Sequence, residues 1–151
     1  MTKKIFPTPT DCELAFYDAF ERSDINLMMT VWADEPDIIC IHPNGPRLAG
    51  IDAIRESFTQ IFSHGVSAQV QIGELRRHSS QTFAIHNIYE TLIIKDVPEE
   101  LKLIDQEEAP VILTTNIYQL TSRGWRMVLH HSSVAPQGTT AEDQGVSRIL
   151  H

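Results

Sequence analysis

Apolar residues recur along this chain with two different periods, and the change from one to the other divides it. Up to about residue 65 the spacing is helical. Leu14, Tyr17 and Phe20 mark one stripe of a first helix, which runs from Thr10 to about Arg22. Thr10-Asp11-Cys12-Glu13 reads as its capping box: the Thr10 hydroxyl accepts from the Glu13 amide, and the Glu13 carboxylate reaches back. Ser23-Asp24 ends this helix and caps a short second one. Its Ile25, Leu27, Met28, Val31 and Trp32 are apolar nearly all round, which predicts burial. Ile38 to His42 is a short apolar strand closed by Pro43 and the Asn44-Gly45-Pro46 loop. After Gly50, the residues Ile51, Ile54, Phe58, Ile61 and Phe62 predict a third helix, with Gly65 ending it in the left-handed conformation.

From Val66 the period becomes two. Val66, Ala68, Val70 and Ile72 alternate with Ser67, Gln69 and Gln71, and a long strand follows from Thr82 to Lys95. Asp96 to Pro110 is a polar, acidic loop, either a solvated surface or a lid over a cavity mouth. Two further strands, Val111 to Leu120 and Trp125 to Ser133, are joined as a hairpin by Thr121-Ser122-Arg123-Gly124. The expected organisation is an N-terminal extension (1–9), one domain (10–135) and a polar tail (136–151). Helices that precede an antiparallel sheet predict an α+β domain. Both faces of the late strands carry apolar side chains: Phe83, Ile85, Tyr89 and Ile93 on one, Ile88, Leu92 and Ile94 on the other. Three helices cover one face. The other calls for a second copy of the chain in a homodimer, or for the acidic loop and tail wrapped over it.

Composition narrows the partners. The 151 residues suit one domain, and 42% hydrophobic residues suit a globular one. A formal net charge of −8 disfavours nucleic acid and anionic membranes. No apolar run approaches the roughly 20 residues of a membrane span, and no apolar stretch follows Lys3 and Lys4 as a secretory signal requires. Cys12 and Cys40 have no zinc spacing. They read as buried free thiols in a reducing cytoplasm.

The candidate chemistry rests on histidines. His42 ends an apolar strand beside a Pro/Gly loop, where a neutral imidazole can act as a general base. His130 and His131 are neighbours on a strand and face opposite sides, with a bulge able to exchange them. His86 shares a strand face with Ile88 and Glu90, and the natural reading is a partly buried polar residue. The seven histidines are scattered without helical metal spacing, so no metal site is expected. There is neither a G-x-S-x-G elbow for a serine hydrolase nor a glycine-rich nucleotide loop, and no cofactor is expected.

The first helix, Ser23-Asp24-Ile25, Val31-Trp32-Ala33-Asp34, His42-Pro43, Gly50-Ile51 and Gly124-Trp125-Arg126-Met127-Val128 occur in an order that resembles the SnoaL-like (nuclear transport factor 2-like) superfamily, over Thr10 to Ala135. Trp125 to Pro136 also looks like the association domain of calcium/calmodulin-dependent kinase II. The resemblance implies a cone-shaped fold, with three N-terminal helices packed on a curved, mostly antiparallel sheet around a deep apolar pocket. Relatives include ketosteroid isomerase, scytalone dehydratase and polyketide cyclases, so the fold spans enzymes and scaffolds. Carrying over the isomerase pattern puts His42 at the base, Phe16 at the place of an oxyanion tyrosine, and Asn116 at the place of a protonated aspartate. Tyr17 is adjacent but points about 100° away around the helix. The missing donor argues against steroid isomerisation by that mechanism. The resemblance turns His130, Ser132 and Asn116 toward the pocket and His131 toward a subunit contact. Two functions stay open. One is an acid–base isomerase, dehydratase or cyclase on a small carbonyl-bearing or polyketide-like molecule, with His42 as base, His130 as acid or orienting partner and Asn116 as polarising donor. The other is a non-catalytic module that dimerises and binds a small apolar or anionic ligand, or associates with another protein. Phe16, Tyr17, Trp32, His86, Tyr118 and Ser132 are the expected ligand contacts.

Overall fold

The computed structural model describes residues 4–65, 68–94, 111–136 and 139. The expected acidic loop and most of the tail lie outside these residues. Its elements follow in the order α1 (Pro9–Arg22), α2 (Ile25–Val31), β1 (Ile39–Ile41), β2 (Arg47–Ala49), α3 (Ile51–Ser63), β3 (Ala68–Ser79), β4 (Phe83–Ile94), β5 (Val111–Thr121) and β6 (Gly124–Val134). The strands form one curved six-stranded sheet in the order β2-β1-β6-β5-β4-β3, antiparallel except where β1 runs parallel to β6. Three helices pack on its concave face, as expected for an α+β cone.

Helix α1 is capped two residues earlier than the sequence suggests. Thr8, not Thr10, is the N-cap: its hydroxyl accepts from the Asp11 amide at 3.1 Å, and Pro9 takes the first helical position. Proline is favoured there because its missing N–H would have no helical partner. The helix is also rotated relative to the predicted stripe. Leu14 is 60% exposed, while Glu13, Phe16 and Tyr17 are buried against the sheet. Ser23 ends α1 in the left-handed conformation (φ 53°), and the Asp24 carboxylate caps α2 through the Leu27 amide at 3.0 Å. Gly65 takes the expected left-handed conformation after α3, with φ 69°.

Strand β2 was not evident in the sequence. It is three residues long and follows Pro46, too short to show alternation. It pairs with β1 and extends the sheet past His42. Gly124 closes the β5–β6 hairpin at φ 86°, and a side chain there would meet the Phe6 carbonyl at 2.7 Å. The N-terminal segment is thereby tied to the sheet: the Trp125 amide donates to Phe6 O at 2.9 Å, and the Arg126 guanidinium lies over the Phe6 ring and donates to Lys4 O.

The core is aromatic on the helix side. Phe16 sits edge-on to Tyr17, Trp32 and Phe58, with centroids 4.9, 6.4 and 5.9 Å away. Such pairs add about 0.5–1.5 kcal/mol each beyond the area they bury. Cys12 and Cys40 are free and buried in this core, and burial pushes both thiols up to about 12.

Candidate functional site

Strand register brings the polar residues together. Across β4, β5, β6 and β1, the pairs His86–Asn116, Asn116–His130 and His130–Cys40 form one row on the concave face. The next row carries Ile88, Thr114 and Ser132. A register shift beside Ile117 leaves Val128 as an extra residue in β6, and His130 still points inward while His131 is exposed.

Helix α1 lays two polar side chains onto these rows. The Glu13 carboxylate accepts from His86 Nδ1 at 2.7 Å and from the Tyr118 hydroxyl at 2.9 Å, all three residues being buried. The Tyr17 hydroxyl donates to Glu90 Oε2 at 2.5 Å and accepts from Asn116 Nδ2 at 3.1 Å. Asn116 Oδ1 in turn accepts from His130 Nδ1 at 2.6 Å, and His130 Nε2 lies 3.0 Å from the Ser132 hydroxyl. Ser132 meets Thr114 at 2.8 Å, and Thr114 stands near the Glu90 carboxyl. Tyr17, which the helical angle seemed to turn away, is therefore the residue of α1 that meets Asn116. Phe16 lies beside it, 4.8 Å from the His130 ring. Both fit because a helix turned to bury Glu13 presents positions i+3 and i+4 to the same face.

The charges of this interior follow from burial. His130 is held far below its ordinary value, at about 3, by loss of solvation and by the neighbouring His42 and His131. Glu90 is pushed up by burial, against the opposing influence of Tyr17 and Thr114. Tyr17 and Tyr118 are pushed well up by burial and by the nearby carboxylates. The imidazole is neutral, the phenols are protonated, and the Glu90 carboxyl is biased toward its acid form.

His42 stands at the edge of this group. It is half-buried, its Nε2 is 2.8 Å from the Ser57 hydroxyl on α3, and its ring is 5.2 Å from Phe58 and 6.5 Å from His130. Burial lowers its pKa, so it is a neutral base around pH 7. Trp32 is 3% exposed and sits 6.5 Å from Phe58; among the described residues its Nε1 is a buried polar atom without a hydrogen-bond partner. His42, His130, Asn116, Phe16 and Trp32 are thus gathered around Phe58 and the β6 row. His86 and Tyr118 are set apart on Glu13. The sequence reading missed Glu13, Glu90, Thr114 and Ser57 as members. Glu90 was detectable as a carboxylate on the apolar face of β4; the others carried no signal.

On the other side of α1, Tyr17 also lines a groove of about 620 Å³ between the segment at Lys4–Phe6, α1 and β3. Its lining mixes the acidic Asp11, Asp18 and Glu21 with the apolar Leu14, Val70 and Ile72.

The family model described as the SnoaL-like domain matches residues 11–137. The chain belongs to the SnoaL-like domain family. Among solved structures similar to this SnoaL-like chain, one from Thiobacillus denitrificans ATCC 25259 is named provisionally as a calcium/calmodulin-dependent protein kinase type II association domain. It is 35% identical over 87% of this chain and 98% of its own, with a TM-score of 0.69. A protein from Streptomyces avermitilis, named provisionally as a dehydratase of the NTF2-like family, is 23% identical over 82% of this chain and 91% of its own, with a TM-score of 0.70. A second provisionally named association domain, from Xanthomonas campestris, is 16% identical over 91% and 99%, with a TM-score of 0.64. The last two establish the likeness of fold alone. No curated protein matches the chain. No helix among the described residues is long and apolar enough to cross a membrane.

Proposed function

We propose that this SnoaL-like protein binds a small carbonyl-bearing molecule beside Phe58 and acts on it by cofactor-free acid–base chemistry, as an isomerase, dehydratase or cyclase. The observation that carries the reading is His42: a neutral, half-buried imidazole at a strand end, hydrogen-bonded to Ser57 and facing an aromatic group. A substrate proton placed where the Ser57 hydroxyl now sits would meet the Nε2 lone pair, and such base catalysis is typically worth about 10²–10⁴ in rate. The unpartnered Trp32 indole N–H supports an acceptor oxygen on the ligand, as a carbonyl provides. His130 is assigned orientation and not acid catalysis, because both its nitrogens are engaged within the protein and its pKa of about 3 keeps it unprotonated at neutral pH. Asn116 is likewise engaged on both sides and holds the interior in shape.

The test is a ligand screen followed by His42→Ala. Turnover of a carbonyl compound should fall by roughly 10²–10⁴ in kcat, with an acidic limb below His42's ordinary pH 6.5. A variant that keeps full turnover, or a His42 that titrates like free imidazole, removes the base. A second reading is favoured by the 35% identical association-domain relative: a non-catalytic module that dimerises through the convex sheet face and binds a ligand without changing it. Ligand binding without turnover, unchanged in His42→Ala, selects that reading. In both, a homodimer in a reducing cytoplasm accounts for the exposed apolar sheet face and the two buried thiols.

A further inference from the structure

The two most exposed large apolar side chains among the described residues stand at one place. Ile5 is 66% and Leu14 60% exposed, and both line the groove of about 620 Å³ between Lys4–Phe6, α1 and β3. Helix α1 puts Asp11, Leu14, Asp18 and Glu21 on one stripe of this groove, three or four residues apart. The Glu21 carboxylate is fixed in the wall by the Val70 amide at 3.0 Å, and Asp18 holds Arg22 at 3.2 Å. Among the described residues, Lys4 is the one basic member of the lining. Apolar contacts set among carboxylates suit an occupant with apolar side chains around a cation.

We infer that the occupant is the segment Val146-Ser147-Arg148-Ile149-Leu150 of this same chain, with its apolar side chains against Ile5, Leu14 and Ile72 and Arg148 among the carboxylates. Its composition fits. Arg148 is the only lysine or arginine after Arg126, and the large apolar residues of 136–151, namely Val146, Ile149 and Leu150, all lie within two positions of it. The register of the sheet brings the segment within reach. Val134, where β6 ends, shares one row with Ile112, Glu90 and Ile72 across β5, β4 and β3. Three strand steps of about 4.8 Å put the exit of the tail about 14 Å from Ile72 in the groove wall. The nine residues from Thr139 to Arg148 span up to about 30 Å when extended, about twice that distance. Residues 95–110 connect β4 to β5 at the same end of the sheet, but their six acidic residues against one lysine set them against Asp11, Asp18 and Glu21. Tyr17 also lines the groove, so the seated segment screens the Tyr17–Glu90 pair on that side. None of this depends on what His42 does.

Trypsin cleavage after Arg148 in the full chain tests this, because cutting follows the population in which the segment is free. The control is a synthetic peptide of residues 137–151. Arg148 in the folded chain should be cut about tenfold more slowly than in the peptide, and equally slowly at every protein concentration. Raising the salt should shrink that ratio, since part of the seat is charge on charge. Leu14→Gln should return most of the cleavage rate while circular dichroism stays unchanged, because the side chain it alters faces solvent. Ile5→Gln, on the opposite wall, should do the same and serves should the Leu14 variant fold poorly. Cleavage as fast as in the peptide overturns the inference and leaves the groove open to a separate partner. Slow cleavage that neither substitution relieves overturns it too, because the segment then sits elsewhere. Slow cleavage that is lost on dilution assigns the segment to a second copy and overturns the seat within one chain.

Discussion

The two faces of the sheet invert the usual arrangement. The concave face, covered by the helices, carries His86, Glu90, Thr114, Asn116, His130 and Ser132. The convex face of the same strands shows solvent Phe83 at 46%, Ile85 at 40% and Ile93 at 39% exposure. A domain built for stability alone would exchange them, because a buried polar group gains little even when fully hydrogen-bonded and an exposed apolar one gains nothing. Each departure fits the proposed function, with chemistry or binding inside and a partner outside. The two faces also differ in how they fail. An inner residue is held by several partners at once, whereas an outer residue has few within its own chain.

The sharpest way to break this contrast is to remove an inner carboxylate. Glu13→Ala leaves the His86 and Tyr118 polar atoms buried without their acceptor. Breaking a buried charged contact of this kind costs about 3–5 kcal/mol. Urea unfolding should show that loss, with the concave face remaining the weak point of the variant. A loss under about 1 kcal/mol would mean that water already reaches Glu13, and that the inner face is less dry than its packing indicates.

Acid separates the faces next. His130 is depressed to about 3 from an ordinary value of 6.5, so its contribution is fully present above pH 6.5 and is lost as pH falls toward 3. Over that window one depressed histidine steepens the loss by up to about 1.4 kcal/mol per pH unit. Glu90 has the opposite sign: its raised value contributes stability below its ordinary pKa of 4.5, lost as pH rises through the folded value. Denaturant midpoints against pH should therefore fall on the acid side of 6.5 in the unaltered protein and fall less steeply in His130→Phe. His131→Ala, one residue along but on the convex side, removes only the smallest of the influences that lower His130 and should change the slope far less than His130→Phe does. Equal slopes in all three proteins would detach the acid response from the inner face.

How much of this contrast was legible in the sequence depends on the range of each interaction. The change of period near residue 65, the break at Ser23-Asp24 and the β5–β6 hairpin are local patterns, and the family motifs sit on them in order. The capping of α1 was misread because Thr10-x-x-Glu13 satisfies the box pattern as well as Thr8 satisfies the cap. What decides between them is Glu13's attachment to His86 and Tyr118, 73 and 105 residues away. The same long-range tie turns the helix so that Leu14 faces solvent and Tyr17 meets Asn116. An apolar-stripe argument fails wherever the inward position is polar. On the sheet, parity puts His130 and Ser132 on one side of β6, the resemblance adds Asn116 to that side, and the strand register pairs it with His130. The extra residue at Val128 lies on the turn side of His130 and Ser132 and of their β5 partner Asn116, and leaves the relation of the three unchanged.

The smallest effect on the folded chain, and the most direct on assembly, belongs to Ile85→Glu. Ile85 pairs with Ile117 and His78 on the convex face, where a glutamate stays in water as long as the chain is alone. The unfolding free energy of the monomer should change by no more than about 0.5 kcal/mol. In a twofold pair the same substitution acts twice, once from each copy, and places like charges in an apolar contact. Truncations at the centre of an interface commonly cost about 2 kcal/mol, near a 30-fold weaker Kd, and a buried charge costs more. Sedimentation at micromolar concentration should show a dimer for the unaltered chain and a monomer for the variant, with matching circular dichroism. If the unaltered chain already sediments as a monomer, the convex face needs another cover and the homodimer fails. If Ile85→Glu unfolds the chain instead, Ile85 is part of the chain's own core, and the contrast between the two faces loses its outer half.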